Sequence, residues 1–194
     1  VGVVLNYSES RTSDPATSPI KLKDIKSELS VFHNERDGDL QSMLDAAVDR
    51  VETDTRRALI TQTWAWVYDE WPEFPWSLPR RPVQSIVVTY LDTDDNSQTY
   101  AAGNYTLSTA RAAVFLKQAS TLPALSDEVE NVTFTAVCGF GTTPADIPER
   151  YRQAITLLVK EMYDGCPIPT IMVNGHEVSM YDVLVGQLSW GSYP

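Results

Sequence analysis

Val51-Glu52-Thr53-Asp54-Thr55-Arg56-Arg57-Ala58-Leu59-Ile60-Thr61-Gln62-Thr63-Trp64-Ala65-Trp66-Val67-Tyr68 changes its period half-way along. Leading into it, Leu40, Met43, Leu44, Ala47, Val48 and Val51 recur at three- and four-residue steps, the mark of a helix with one buried stripe. Asp45, Asp49, Arg50, Glu52 and Asp54 cover its other side, as on a helix that faces water. From Ile60 the even positions read Ile60, Gln62, Trp64, Trp66 and Tyr68. That alternation is a strand with one heavily aromatic face. A helix running straight into a strand separates a helical part of the chain from a β part.

Working outward, a helix is expected over 20–32, with Pro19 at its start and Leu22, Ile25, Leu29 and Phe32 on its buried face. The polar break His33–Gly38 precedes the second helix, expected over 38–58. Residues 1–19 hold no period. Ser8–Ser18 is rich in Ser, Thr and Asp and cannot bury enough surface to fold alone, so it reads as a disordered arm. The alternative is an arm that orders on a neighbour through Val3, Val4, Leu5 and Tyr7.

Downstream, the proline-punctuated link Trp71–Pro79 admits an edge strand but not a central one. Val83–Asp92 is a strong strand with Ile86, Val88 and Tyr90 on one face, followed by the turn Thr93–Asn96. Short strands are expected at 98–101, 105–108 and 113–116, then a last one at 131–138 with Val132, Phe134 and Ala136 inward. Asp146 and Glu149 have capping-box spacing at the head of a helix over 147–164. Its face carries Tyr151, Ala154, Ile155, Leu158, Val159 and Met162, and Gly165 with Pro167 ends it. Asn174-Gly175 reads as a tight turn, and Ser179–Gln187 as a short helix. Segregated helices and strands give an α+β fold: a small helical bundle (20–32, 38–58, 147–164) with an antiparallel β insertion over 60–138.

The chain has 194 residues, enough for one domain with its own core. Its 15 Lys and Arg against 26 Asp and Glu leave a net charge of −11. That argues against a general nucleic-acid binder, which needs cations to displace phosphate counterions. Cys138 and Cys166 are too few for a disulfide framework and fit a reducing compartment. No apolar run reaches the roughly 18 residues of a membrane helix, and Val1–Asn6 lacks the form of a signal peptide. The expectation is a soluble protein made inside a cell.

Little in the sequence points to chemistry. His33 and His176 sit beside turn residues, and no G-x-S-x-G accompanies them; a small hydrolase built on either is the weaker reading. Gly139-Phe140-Gly141 follows a strand and precedes a helix but lacks the third glycine and the lysine of a phosphate loop. Asp92, Asp94 and Asn96 begin like a calcium loop, yet Ser97 and Gly103 stand where glycine and glutamate are needed. The cysteines have no zinc spacing. No metal or cofactor is expected. Trp64 and Trp66 share the parity of a core face, whereas Trp71 and Trp76 lie in the proline link and are freer. A monomeric carbohydrate-binding module using Trp71 and Trp76 is therefore an alternative.

The helix-to-strand stretch from Val51 to Trp64 is followed by Leu78-Pro79-Arg80-Arg81-Pro82-Val83-Gln84-Ser85-Ile86. Later come Phe134-Thr135-Ala136-Val137-Cys138-Gly139-Phe140-Gly141 and Ile147-Pro148-Glu149-Arg150-Tyr151-Arg152-Gln153-Ala154-Ile155. In order and spacing these resemble the head–tail connector, or adaptor, proteins of tailed bacteriophages and gene transfer agents, in the branch with a β insertion. The resemblance spans about Leu22–Tyr163. It departs at Arg56, where the family often has glycine.

The resemblance implies a non-enzymatic protein of the virion neck, assembled in the host cytoplasm. It implies a ring, twelve-fold like the portal, that lies below the portal protein, extends the DNA channel and offers a platform to a stopper or tail-completion protein. DNA would pass through the lumen without sequence-specific binding. On this reading 1–19 is an N-terminal arm, 20–165 a single connector domain and 166–194 a C-terminal docking segment. Asp45, Asp49 and Asp54 become ring-contact candidates. Met180, Leu184, Leu188, Trp190 and Tyr193 become portal-contact candidates.

Overall fold

The computed structural model describes residues 7–173 and 176–189. Two compact units divide the chain: Val1–Ala16 with Thr61–Gly139, and Thr17–Ile60 with Phe140–Pro194. The class is α+β, with antiparallel pairing between all the named strands.

The first unit holds a five-stranded sheet. Its strands are β1 (Tyr7–Ser13), β2 (Gln62–Tyr68), β4 (Val83–Leu91), β5 (Ser97–Thr99) and β8 (Val132–Cys138), in the order β1-β2-β8-β4-β5. A three-stranded sheet contains β3 (Trp76–Ser77), β6 (Tyr105–Ser108) and β7 (Ala113–Leu116), in the order β3-β7-β6. The aromatic alternation of β2 is borne out: Gln62, Trp64, Trp66 and Tyr68 are all buried. In register, Trp66 lies opposite Phe134, and Phe134 opposite Val88. The Trp76 ring joins the two sheets, 4.1 Å from Phe134 and edge-on to Tyr68. Offset and edge-on contacts of this kind suit the ring quadrupole.

Tyr7–Ser13 departs from the expected disordered arm, because it forms the edge strand β1 along β2. Its composition cannot supply a core, but a strand needs only backbone partners, and β2 offers them. Side chains fasten it as well. Glu9 pairs with Arg80, whose guanidinium lies 3.7 Å from the Trp64 ring centroid, and Tyr7 packs on Tyr68. The two-residue β3 is an edge strand, as the proline link allows.

The second unit holds α1 (Leu22–Glu28), α2 (Asp37–Thr55), α3 (Glu149–Asp164), a hairpin of β9 (Thr170–Val173) and β10 (His176–Ser179), and α4 (Met180–Ser189). Its core joins Ile25, Leu44, Val51, Leu59, Tyr151, Ile155, Leu158 and Tyr181. α1 is shorter than expected. Ser30 turns left-handed at φ 55°, and the Val31 amide donates back to Lys26 O, closing the helix end. Val31 is thereby buried, and Phe32, expected on the core face, is 90% exposed.

α2 also stops early, at Arg56, which adopts φ 50°, ψ 42°. The left-handed residue at a helix end is usually glycine, and here it is an arginine. The expected capping box lies one turn upstream of its anticipated place. Thr143 caps a 3₁₀ turn at 144–146, and Asp146 accepts from both the Thr143 amide and its hydroxyl at 2.9 Å. Pro148 heads α3 without a side-chain cap, and Gly165 closes it at φ 64°. Met162, expected on the buried face, is exposed.

Candidate functional site

The catalytic candidates are not brought together. His33 and His176 are both exposed. Asp92 organises a hairpin turn: its carboxylate accepts from the amides of Asp94 and Asn96 and from the Gln98 side chain. Those hydrogen bonds, Gln98 foremost, hold its carboxyl below the ordinary aspartate range. Gly139-Phe140-Gly141 is spent on structure. The Gly139 amide donates to Pro82 O and the Phe140 amide to Leu59 O, while Phe140 packs on Tyr151. A Cβ at Gly141 would approach the Asp146 carboxylate to 2.3 Å. Cys138 is buried, which pushes its thiol up to about 12. No group of three His, Cys, Asp or Glu side chains that could hold a metal exists among the described residues.

The tryptophan platform is overturned. Trp76, expected to be free, is 3% exposed and donates to the Tyr68 hydroxyl at 2.9 Å. Trp71 packs against Tyr90 and Tyr100 and donates to Pro123 O. Tyr68 is itself pushed up to about 12, by burial first, so it keeps its proton beside Trp76. Trp76 belongs to a core and the half-buried Trp71 is engaged by Tyr90 and Tyr100, so the two offer no paired face for a sugar.

The contact candidates lie on the helical unit. Asp45, Asp49 and Asp54 lie on the exposed side of α2. Asp45 accepts from Gln41, and Asp54 is held within its own chain by Arg50 and by the Tyr181 hydroxyl at 2.6 Å. The C-terminal candidates separate. Leu184 packs partly against the core beside Tyr181, and with Met180 it lines a cavity of about 650 Å³ that also touches Ile20, Ile25 and Leu157. Leu188 belongs to α4 by its backbone, and Trp190 and Tyr193 lie outside the described residues.

α4 thus packs back on its own helices. Tyr181, which sequence reasoning passed over, is 3% exposed and is the anchor. Its burial, then the Asp54 carboxylate, raises its hydroxyl well above the ordinary tyrosine value. The β9–β10 hairpin stays on the surface, with Met172 69% exposed. No helix among the described residues is long and apolar enough to cross a membrane.

No family model matches the chain, and no curated protein matches it. Solved structures do. A chain in the virion of a native gene transfer agent particle superposes with a TM-score of 0.74 at 19% identity. A chain in the neck of an empty particle, computed with C6 symmetry, gives 0.73 at 21% identity. A chain in the neck of a native particle, computed with C12 symmetry, gives 0.71 at 19% identity. Each match covers 93% of this chain and 94% of the other. The fold is shared along nearly the whole length, and the sequence resemblance pointed to the same kind of particle.

Proposed function

We propose that this protein is a structural head–tail connector of a phage-like virion neck, a ring that continues the DNA channel below the portal. The observation that carries the reading is the near-complete fold match to chains of gene transfer agent necks computed with six- and twelve-fold symmetry. Twelve copies per ring is the number this reading takes. In it, the sheet unit is an insertion between α2 and α3 of a helical bundle. The exposed side of α2, with Asp45 and Asp49, contributes to the ring contact, and Asp54 joins it only through its outer edge.

The portal contact rests on the surface hairpin and the chain end around Leu188, Trp190 and Tyr193. The lower side of the ring is the platform for a stopper or tail-completion protein. DNA passes without being held, which suits an acidic chain: dense cationic contacts to phosphate would make it stick. No chemistry is assigned, since the candidate groups are each engaged in structure or isolated on the surface.

Deleting Trp190–Pro194 tests the portal reading. The shortened protein is expected to melt like the full chain and to fail to join portal-bearing capsids. Normal joining would remove the chain end from the portal contact.

A further inference from the structure

The left-handed turn at Ser30 does more than end α1. By seating Val31 in the core it points the next residue outward, so Phe32, the largest exposed apolar side chain among the described residues, stands at the surface of the helical unit. It does not stand alone. Leu22, Val31 and Phe32 line one shallow hollow together with Lys23 and Lys26. Lys26 is neutralised by Asp37 at 2.6 Å. Lys23 is exposed and has no ion-pair partner among the described residues. The acids of α1, Asp24 and Glu28, line a different cavity, and Asp37, which lines this hollow too, is taken up by Lys26, so Lys23 is left as a cation beside an apolar group in a chain of net charge −11.

A surface of the opposite kind lies on α2. Along its exposed side, Asp45 and Asp49 flank the small Ala46. Asp49 has no ion-pair partner among the described residues, since its neighbour Arg50 is paired with Asp54, and Asp45 has only the Gln41 amide. The two surfaces share no residue, and one chain carries both. A closed ring needs such a pair, because its contacts are heterologous: one patch meets a different patch on the next copy. Copies of net charge −11 repel unless the contact sets a cation against the acids and excludes water around an apolar anchor.

We propose that the Phe32 corner is the knob of the subunit–subunit contact. It seats over Ala46 on α2 of the next copy, with Lys23 facing Asp49. This rests on the ring reading above and supplies its missing half. The occupant is a second copy of this chain.

Phe32 replaced by the photo-crosslinking p-benzoylphenylalanine in the full chain, within assembled particles, reads the contact directly. Irradiation is expected to give an adduct of twice the chain mass, with the cross-link mapped to residues 42–50. An adduct to any other protein, or none between copies, overturns the proposal. Charge exchange gives a second, independent reading. Lys23→Glu should lower the copies per particle at least tenfold with unchanged melting, and Lys23→Glu combined with Asp49→Lys should restore them. Wild-type incorporation of the single variant, or no rescue in the double, also overturns it. A ring seen in neck images with cross-links elsewhere would fail this contact alone. Absence of a ring would fail the connector reading itself.

Discussion

Arg56 and Tyr181 each hold a conformation or a proton that their surroundings impose. Arg56 carries a Cβ in left-handed backbone, a geometry that glycine adopts without that strain. Arg56→Gly should therefore stabilise the protein by about 1 kcal/mol, read as a higher denaturant midpoint at unchanged slope. Tyr181 donates to Asp54 from a buried ring. Tyr181→Phe should cost about 1 kcal/mol at neutral pH.

The pH dependence of Tyr181 follows from its sign. The folded hydroxyl keeps its proton above the pH, about 10, at which the unfolded one loses it. Its contribution is thus complete below pH 10 and declines as the pH rises beyond it. The melting gap between wild type and Tyr181→Phe should accordingly narrow above about pH 10. Arg56 stood out only as a departure from the resemblance, because an arginine gives no turn signal of its own. Tyr181 was not legible at all, since its contact with Asp54 joins positions 127 residues apart.

Among the elements, β2 was the most legible, because its alternation states directly which face is buried. Its central ring, Trp66, is fully buried against Phe134 and Trp76. Trp66→Ala should cost about 3–5 kcal/mol by the cavity it leaves, measured by equilibrium unfolding. The ends of elements were less legible than their middles. Phe32 fits the α1 period, yet Ser30 turns the backbone before Phe32 can join the face. Trp76 looked free because its burial depends on β3 reaching β7, a pairing no local pattern announces.

The edge strand β1 was hidden for a different reason, since its polar residues gain a place through backbone pairing and the Glu9–Arg80 contact rather than through hydrophobicity. Thr143→Ala should cost about 1 kcal/mol by removing the cap of the turn before α3. The sequence placed that cap at Asp146, because Asp and Glu spaced three apart look alike whichever turn they serve.

For the whole molecule, the class and the order of the elements from α1 to α3 were readable because the hydrophobic period changes cleanly at Ile60 and again after Cys138. The proposed contact surfaces were only half readable. Acid on α2 shows in the sequence, but the cation-bearing corner beside Phe32 needs the fold to assemble it. With a net charge of −11, the free protein should show no measurable binding to duplex DNA in a gel shift at physiological salt. The most direct test of the connector reading is an electron-microscopy reconstruction of the particle neck with this protein located in it. The account predicts a closed twelve-fold ring of this chain between portal and tail, around the DNA channel. Density for single copies, or a position away from the neck axis, would contradict it.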